Sequence, residues 1–187
     1  MPKQRVAVLD LNNGVPNLGL GSIIELIETF EHFHVEVYDV RLKGQMPGLD
    51  HDVYISTGGP GDPFDGEGTA WESRYFGWME KVHERRKDAL FICHSFELMI
   101  RFFGLARVEV RHSPSFGVFP VHQTDAGRTD PVLGALDNPF YAADFRDWQV
   151  VESDEARFES VHLFADETLD LAAHGGRHQG RPRDSVS

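Results

Sequence analysis

The chain has 187 residues, 41% hydrophobic and 26% charged, the size and balance of one globular domain with a real core. Its 18 basic against 30 acidic residues give a formal charge of -12, which weighs against nucleic acid and anionic membranes as partners, since both need a basic face. A single cysteine excludes an intrachain disulfide framework and a CxxC zinc site.

No targeting segment is visible, because the apolar run Val6–Leu9 stops at Asp10, and a signal peptide needs a longer one. No stretch approaches the ~20 apolar residues of a membrane span. The cytoplasm is therefore the expected location, in keeping with the lone cysteine.

In chain order, Val6–Leu9 reads as a short strand ending in the turn-rich Asp10-Leu11-Asn12-Asn13-Gly14. Ser22 and Glu25 have capping-box spacing, which predicts a helix start, with Ile23, Ile27 and Phe30 on one face. His34–Val40 alternates as a strand. Asp52–Ser56 is another, running into Thr57-Gly58-Gly59-Pro60-Gly61-Asp62-Pro63. Thr69 and Glu72 form a second capping box, and Trp71, Tyr75, Trp78, Met79 and Val82 follow at helical spacing. Ala89–Cys93 is a continuous apolar run that suits a central strand buried on both faces. Ser95–Phe103 predicts a packed helix ending at Gly104, and Arg107–Arg111 alternates again as a strand.

The second half is less regular. Phe116–Val121, Phe140–Ala143 and Trp148–Val151 read as short strands, and Glu155–Ala165 as a helix. Residues 140–172 hold nine acids and two arginines, which reads as a solvated face. From Ala173 to Ser187 there is no large apolar residue before Val186 and no period. That stretch is expected to be a disordered tail behind a domain of residues 1–172.

The β-α-β-β-α-β-α order predicts an α/β fold, an open and mostly parallel sheet with helices on both faces. Ligands in such sheets lie at the carboxyl ends of the strands, which singles out the loops after Leu9, Ser56 and Cys93. Cys93 is the first candidate. A nucleophile at a sharp strand-to-helix turn is held clear of the sheet. The helix N-terminus favours its thiolate and can hold an oxyanion. The ordinary alternative is a buried structural cysteine. The Gly58–Pro63 loop lacks the Gly-Lys-Ser/Thr of a phosphate loop. Its glycines let backbone N–H groups approach a ligand, and the alternative is a plain tight turn. The ten histidines show no ligand spacing with Cys or carboxylates, so no metal or other cofactor is expected.

Together, strand–Gly58-Gly59-Pro60-Gly61-Asp62-Pro63 and strand–Cys93-His94-Ser95-Phe96-Glu97 resemble class I glutamine amidotransferase domains. Those carry a Gly-Gly-Pro-Gly-x-Pro oxyanion loop and a Cys-x-Gly-x-Gln nucleophile turn in this order. Val6–Asp10 and residues 130–150 are similar to relatives of the GMP synthase glutaminase domain. The resemblance covers roughly residues 5–150. It implies a flavodoxin-like fold, Cys93 as nucleophile, and Gly58, Gly59, Gly61, His94 and Glu97 at the oxyanion and substrate positions. It also implies glutamine or a γ-glutamyl compound as substrate, with a separate synthetase chain as ammonia acceptor.

Three departures stand out: Ser95 in place of Gly, Glu97 in place of Gln, and Phe91 where a small residue is usual. The family's terminal His-Pro-Glu motif has no counterpart, since no His-x-Glu follows Cys93; His162, His174 and His178 have the wrong neighbours, and His94 adjoins the thiol only in sequence. A truncated or frame-shifted C-terminus is one expectation, and a weak or inactive enzyme another. A non-catalytic binding module on the same scaffold, or a different cysteine-elbow hydrolase, are the competing readings.

Overall fold

The computed structural model describes residues 3–123, 125–131, 133–152, 164–166 and 169–171. They divide into two compact units, one ending at Met99 and one beginning at Ile100. The expected tail and residues 155–163 of the expected last helix lie outside the described residues.

The first unit is built on four parallel strands: β1 (Gln4–Asp10), β2 (Phe33–Asp39), β3 (Val53–Ser56) and β4 (Asp88–Phe91), in the order β2-β1-β3-β4. β1 is central and pairs with both β2 and β3. Its Val6, Ala7, Val8 and Leu9 are almost fully buried, so a run of four apolar letters is here buried on both faces. Helix α1 (Leu18–Glu28) connects β1 to β2, and α2 (Ala70–Glu84) connects β3 to β4. Helix α3 (His94–Phe103) follows β4. This is the α/β, flavodoxin-like arrangement expected from the alternation of elements.

α2 begins where its capping box says. The Thr69 side chain accepts a hydrogen bond from the Glu72 N–H, filling one of the four donors a helix start leaves open. Its inner face places Tyr75, Trp78, Met79 and Val82 in the core. Trp78 stacks on Tyr75 at 5.7 Å between ring centres and meets Tyr54 at 5.5 Å and Phe91 at 6.4 Å edge-on. Each such ring contributes about 1.5–3 kcal/mol through burial, and each ring pair about 0.5–1.5 kcal/mol more.

Two expectations are corrected. α1 starts at Leu18, not after Ser22: the Asn17 side chain accepts from the Leu20 N–H and caps it. Ser22 and Glu25 therefore lie inside a helix whose capping spacing there is a coincidence of letters. α1 also buries no residue fully; Leu20, Ile23 and Ile27 are half-buried, and Leu18, Leu26 and Phe30 are exposed. The apolar run at Ala89–Cys93, expected as a central strand, falls on β4 over Asp88–Phe91. Among the described residues β4 ends the sheet, pairing with β3 alone, and Leu90 stays 41% exposed.

The second unit is dominated by an antiparallel ribbon of β5 (Arg107–Val121) and β6 (Phe140–Val151). Sequence reading expects two strands in each. A register shift between Val110 and Ser115 instead bends one continuous strand, because a bulge absorbs extra residues without ending the ladder. Between them lie a short helix α4 (Asp125–Thr129) and a single 3-10 turn. β7 (Phe164–Asp166) and β8 (Leu169–Leu171) form a small antiparallel pair, so Phe164 and Ala165, expected at a helix end, are strand.

Candidate functional site

The site is assembled where β3 and β4 end. Cys93 lies between the last residues of β4 and the start of α3, in the left-handed region with φ 52°. A non-glycine residue held there costs about 1–3 kcal/mol and persists only when its surroundings fix it. Several hydrogen bonds do so. The Glu97 N–H donates to the Cys93 carbonyl at 3.1 Å and the Ser95 N–H to the Ile92 carbonyl at 3.2 Å, closing the first turns of α3. The Ile92 N–H donates to the Ser95 hydroxyl at 2.9 Å, and that hydroxyl donates to the Ser56 carbonyl at 2.8 Å. Ser95, a departure from the glycine of the resembled motif, thus ties the cysteine turn to the end of β3.

Below it the Ser56 hydroxyl meets the Tyr75 hydroxyl at 2.6 Å. Burial pushes the Tyr75 phenol well above its ordinary range, against the opposing pull of Ser56 and Ser95. The phenol therefore stays neutral and serves as a fixed polar pin in an aromatic core. Phe91, the bulky departure before the thiol, is buried and directed to Trp78.

The glycine loop comes up against this turn. A Cβ built on Gly58 would stand 3.2 Å from Cys93 Cβ and 3.7 Å from its sulfur. The sulfur's residue is half-buried, not sealed. A Cβ on Gly59 would overlap the Leu11 carbonyl oxygen, so only glycine lets the loop run this close to the segment after β1. Gly61, with φ 107°, is in a backbone region that suits glycine, and its surroundings are Asp65 and Arg41. Thr57 stitches the two loops: its N–H donates to the Leu9 carbonyl at 3.0 Å, and its hydroxyl accepts from the Leu11 N–H at 3.1 Å.

His94 and Glu97 occupy the first turn of α3, both buried, with His94 Nδ1 3.9 Å from Glu97 Oε2. The structure thus brings Gly58 to Cys93, and His94 and Glu97 to each other; Gly59 and Gly61 are fixed by other neighbours. His162, His174 and His178 lie outside the described residues. Motif reading does not find Leu11, Arg41, Ser56 or Tyr75. Only the strand-end rule for α/β sheets points toward Leu11 and Ser56; nothing in the sequence marks Arg41 or Tyr75.

Two loops thus meet at the strand ends of an α/β sheet of flavodoxin-like arrangement. No protein-family model matches the chain, and no curated protein matches it. Among solved structures it is similar to a glutamine amidotransferase from Thermotoga maritima, with a TM-score of 0.66 and 14% identity, over 83% of this chain and 65% of that one. It is also similar to a glutamine amido transferase from Methylobacillus flagellatus, with a TM-score of 0.55 and 15% identity, over 82% of this chain and 59% of that one. The chain therefore spans less than two thirds of the length of either. Among the described residues no helix is long and apolar enough to cross a membrane.

Proposed function

We propose that the chain is a glutamine amidotransferase-like protein whose Cys93 attacks the side-chain amide of glutamine or a γ-glutamyl compound. The thiolate sulfur adds to the amide carbon, and the oxyanion is held by backbone N–H groups near Gly59 and His94. The C–N bond breaks as the leaving nitrogen takes up the proton given up by the thiol and departs as ammonia, and water cleaves the γ-glutamyl thioester to glutamate and free thiol. The observation that supports this is the glycine loop meeting, at Gly58, a cysteine in a strained strand-to-helix turn.

The proton for the leaving ammonia is the weak point of the arrangement. General acid–base help is worth about 10²–10⁴-fold. Expulsion of ammonia is itself part of thioester formation, so without such help acylation by glutamine and turnover slow together. Glu97 stands where the resembled motif has Gln, and its carboxylate would disfavour the substrate's own carboxylate. The ammonia acceptor in this reading is a separate synthetase chain of the kind served by GMP synthase-type glutaminase domains, with water as the default acceptor.

The test is labelling by a chloromethyl ketone analogue of glutamine, with the adduct mapped by mass spectrometry and ammonia release from glutamine followed in parallel. One adduct, on Cys93 and absent from Cys93→Ser, is expected, with ammonia release slow or undetectable. A folded protein that iodoacetamide alkylates and the chloroketone does not would reject the reading and favour a non-catalytic binding module.

A further inference from the structure

The glycine loop is gripped from outside. Arg41, two residues beyond β2, donates from Nη1 to the Pro60 carbonyl at 2.6 Å, and the same nitrogen lies 3.4 Å from the Leu11 carbonyl. Its guanidinium carbon sits 5.1 Å from the centre of the Trp71 ring, and Nη2 comes within 3.8 Å of where a Gly61 Cβ would be. Three segments meet on this one cation: the stretch after β1, the loop after β3, and the first turn of α2. The Leu11 carbonyl is the group that abuts Gly59, and the Pro60 carbonyl belongs to the next residue along.

A simple turn would not require this. The loop already closes on itself through the Phe64 N–H donating to Asp62 Oδ1 at 2.7 Å and the Asp62 N–H to Asp65 Oδ2 at 3.2 Å. Burial works against the Arg41 charge, with Asp65 acting in the opposite sense. A guanidinium can nonetheless serve two carbonyls and stack on a ring at once, because its donors are planar and fixed; an ammonium cannot do all three.

We propose that Arg41 is a positioning residue that holds the Gly58–Gly61 backbone in its oxyanion-accepting orientation, an inference that rests on the amidotransferase reading above. It acts through the loop and not on the substrate. A misplacement of about 1 Å can cost about 100-fold in rate, so loosening the grip affects a reaction that uses the loop and spares one that does not.

Two reagents make that distinction. The chloromethyl ketone analogue of glutamine and iodoacetamide both form an S–C bond to Cys93 and expel halide. Only the first presses an anchored ketone oxygen toward the loop. Arg41→Met is expected to slow chloroketone labelling about tenfold or more, with the iodoacetamide rate within about twofold of wild type. Arg41→Lys, which keeps the charge but not the planar fork, is expected to fall between, and it carries the comparison if Arg41→Met does not fold. Equal chloroketone rates in wild type and variant overturn the proposal, as does a parallel loss with both reagents. Wild-type protein that takes iodoacetamide but refuses the chloroketone removes the underlying reading instead, whatever the variants do.

Discussion

The parallel sheet and the β5–β6 ribbon use similar letters to opposite ends. In the sheet, strands of four to seven residues are joined by α1, by a loop from β2 to β3, and by α2, and β1 and α2 bury their apolar side chains. In the ribbon, strands of 15 and 12 residues pair, among the described residues, only with each other, and Phe116, Val118, Tyr141 and Phe145 remain between 56% and 80% exposed. An apolar side chain stabilises by the water it leaves behind, so composition says little until the covering element is known. The ribbon's outward face depends instead on cross-strand pairs such as Phe116 against Phe145, 4.8 Å apart and edge-on.

The sharpest way to probe this contrast is Trp78→Ala, which removes three ring contacts from the sheet's core. It is expected to cost about 3–5 kcal/mol, read as a large drop in the denaturation midpoint. Ser95→Ala should cost less, about 1–3 kcal/mol, because it leaves the cysteine turn and the Ser56 carbonyl short of a shared partner. Its diagnostic is a chloroketone labelling rate that falls along with the midpoint. Phe116→Ser should cost only about 0.2–1 kcal/mol; a loss as large as that of Trp78→Ala would show the outward face to be covered in solution.

The faintest expected effect is electrostatic. Arg5 hydrogen-bonds Glu36 and Asp50 at the start of the sheet, and holds both carboxyls below their ordinary range. A depressed carboxylate contributes stability above its unfolded pKa and loses it as pH falls through the folded value. The contribution is thus present above about pH 4.5 and fades below it. Arg5→Met should flatten the acid limb of a stability–pH curve, and an unchanged limb would show that the pairs are idle in water.

What could be read from the sequence follows from how local each signal is. α2 was fully legible, since Thr69 caps it and its core residues lie within one periodic run. α1 was legible as a helix but not at its start, because Asn17 and Ser22 both offer capping chemistry and only backbone geometry chooses between them. The exposure of Leu90 was invisible: a five-residue apolar run looks the same whether the strand sits inside a sheet or at its end. Cys93 and Gly58 could be picked out because each sits in a short motif, and their meeting depends only on β3 and β4 pairing side by side. Arg41 could not be, since its grip on Pro60 arises when the end of β2 and the end of β3 arrive at the same rim of the sheet, a relation no window of sequence contains.

The left-handed backbone at Cys93 has a consequence for how this position can evolve. Glycine adopts that conformation without penalty, so a chain selected for folding alone would drift toward glycine there and gain stability in doing so. Folding robustness and possession of a thiol pull this one codon in opposite directions, and Cys93→Gly measures that tension directly: a variant that melts higher than its parent while losing the only sulfhydryl it had.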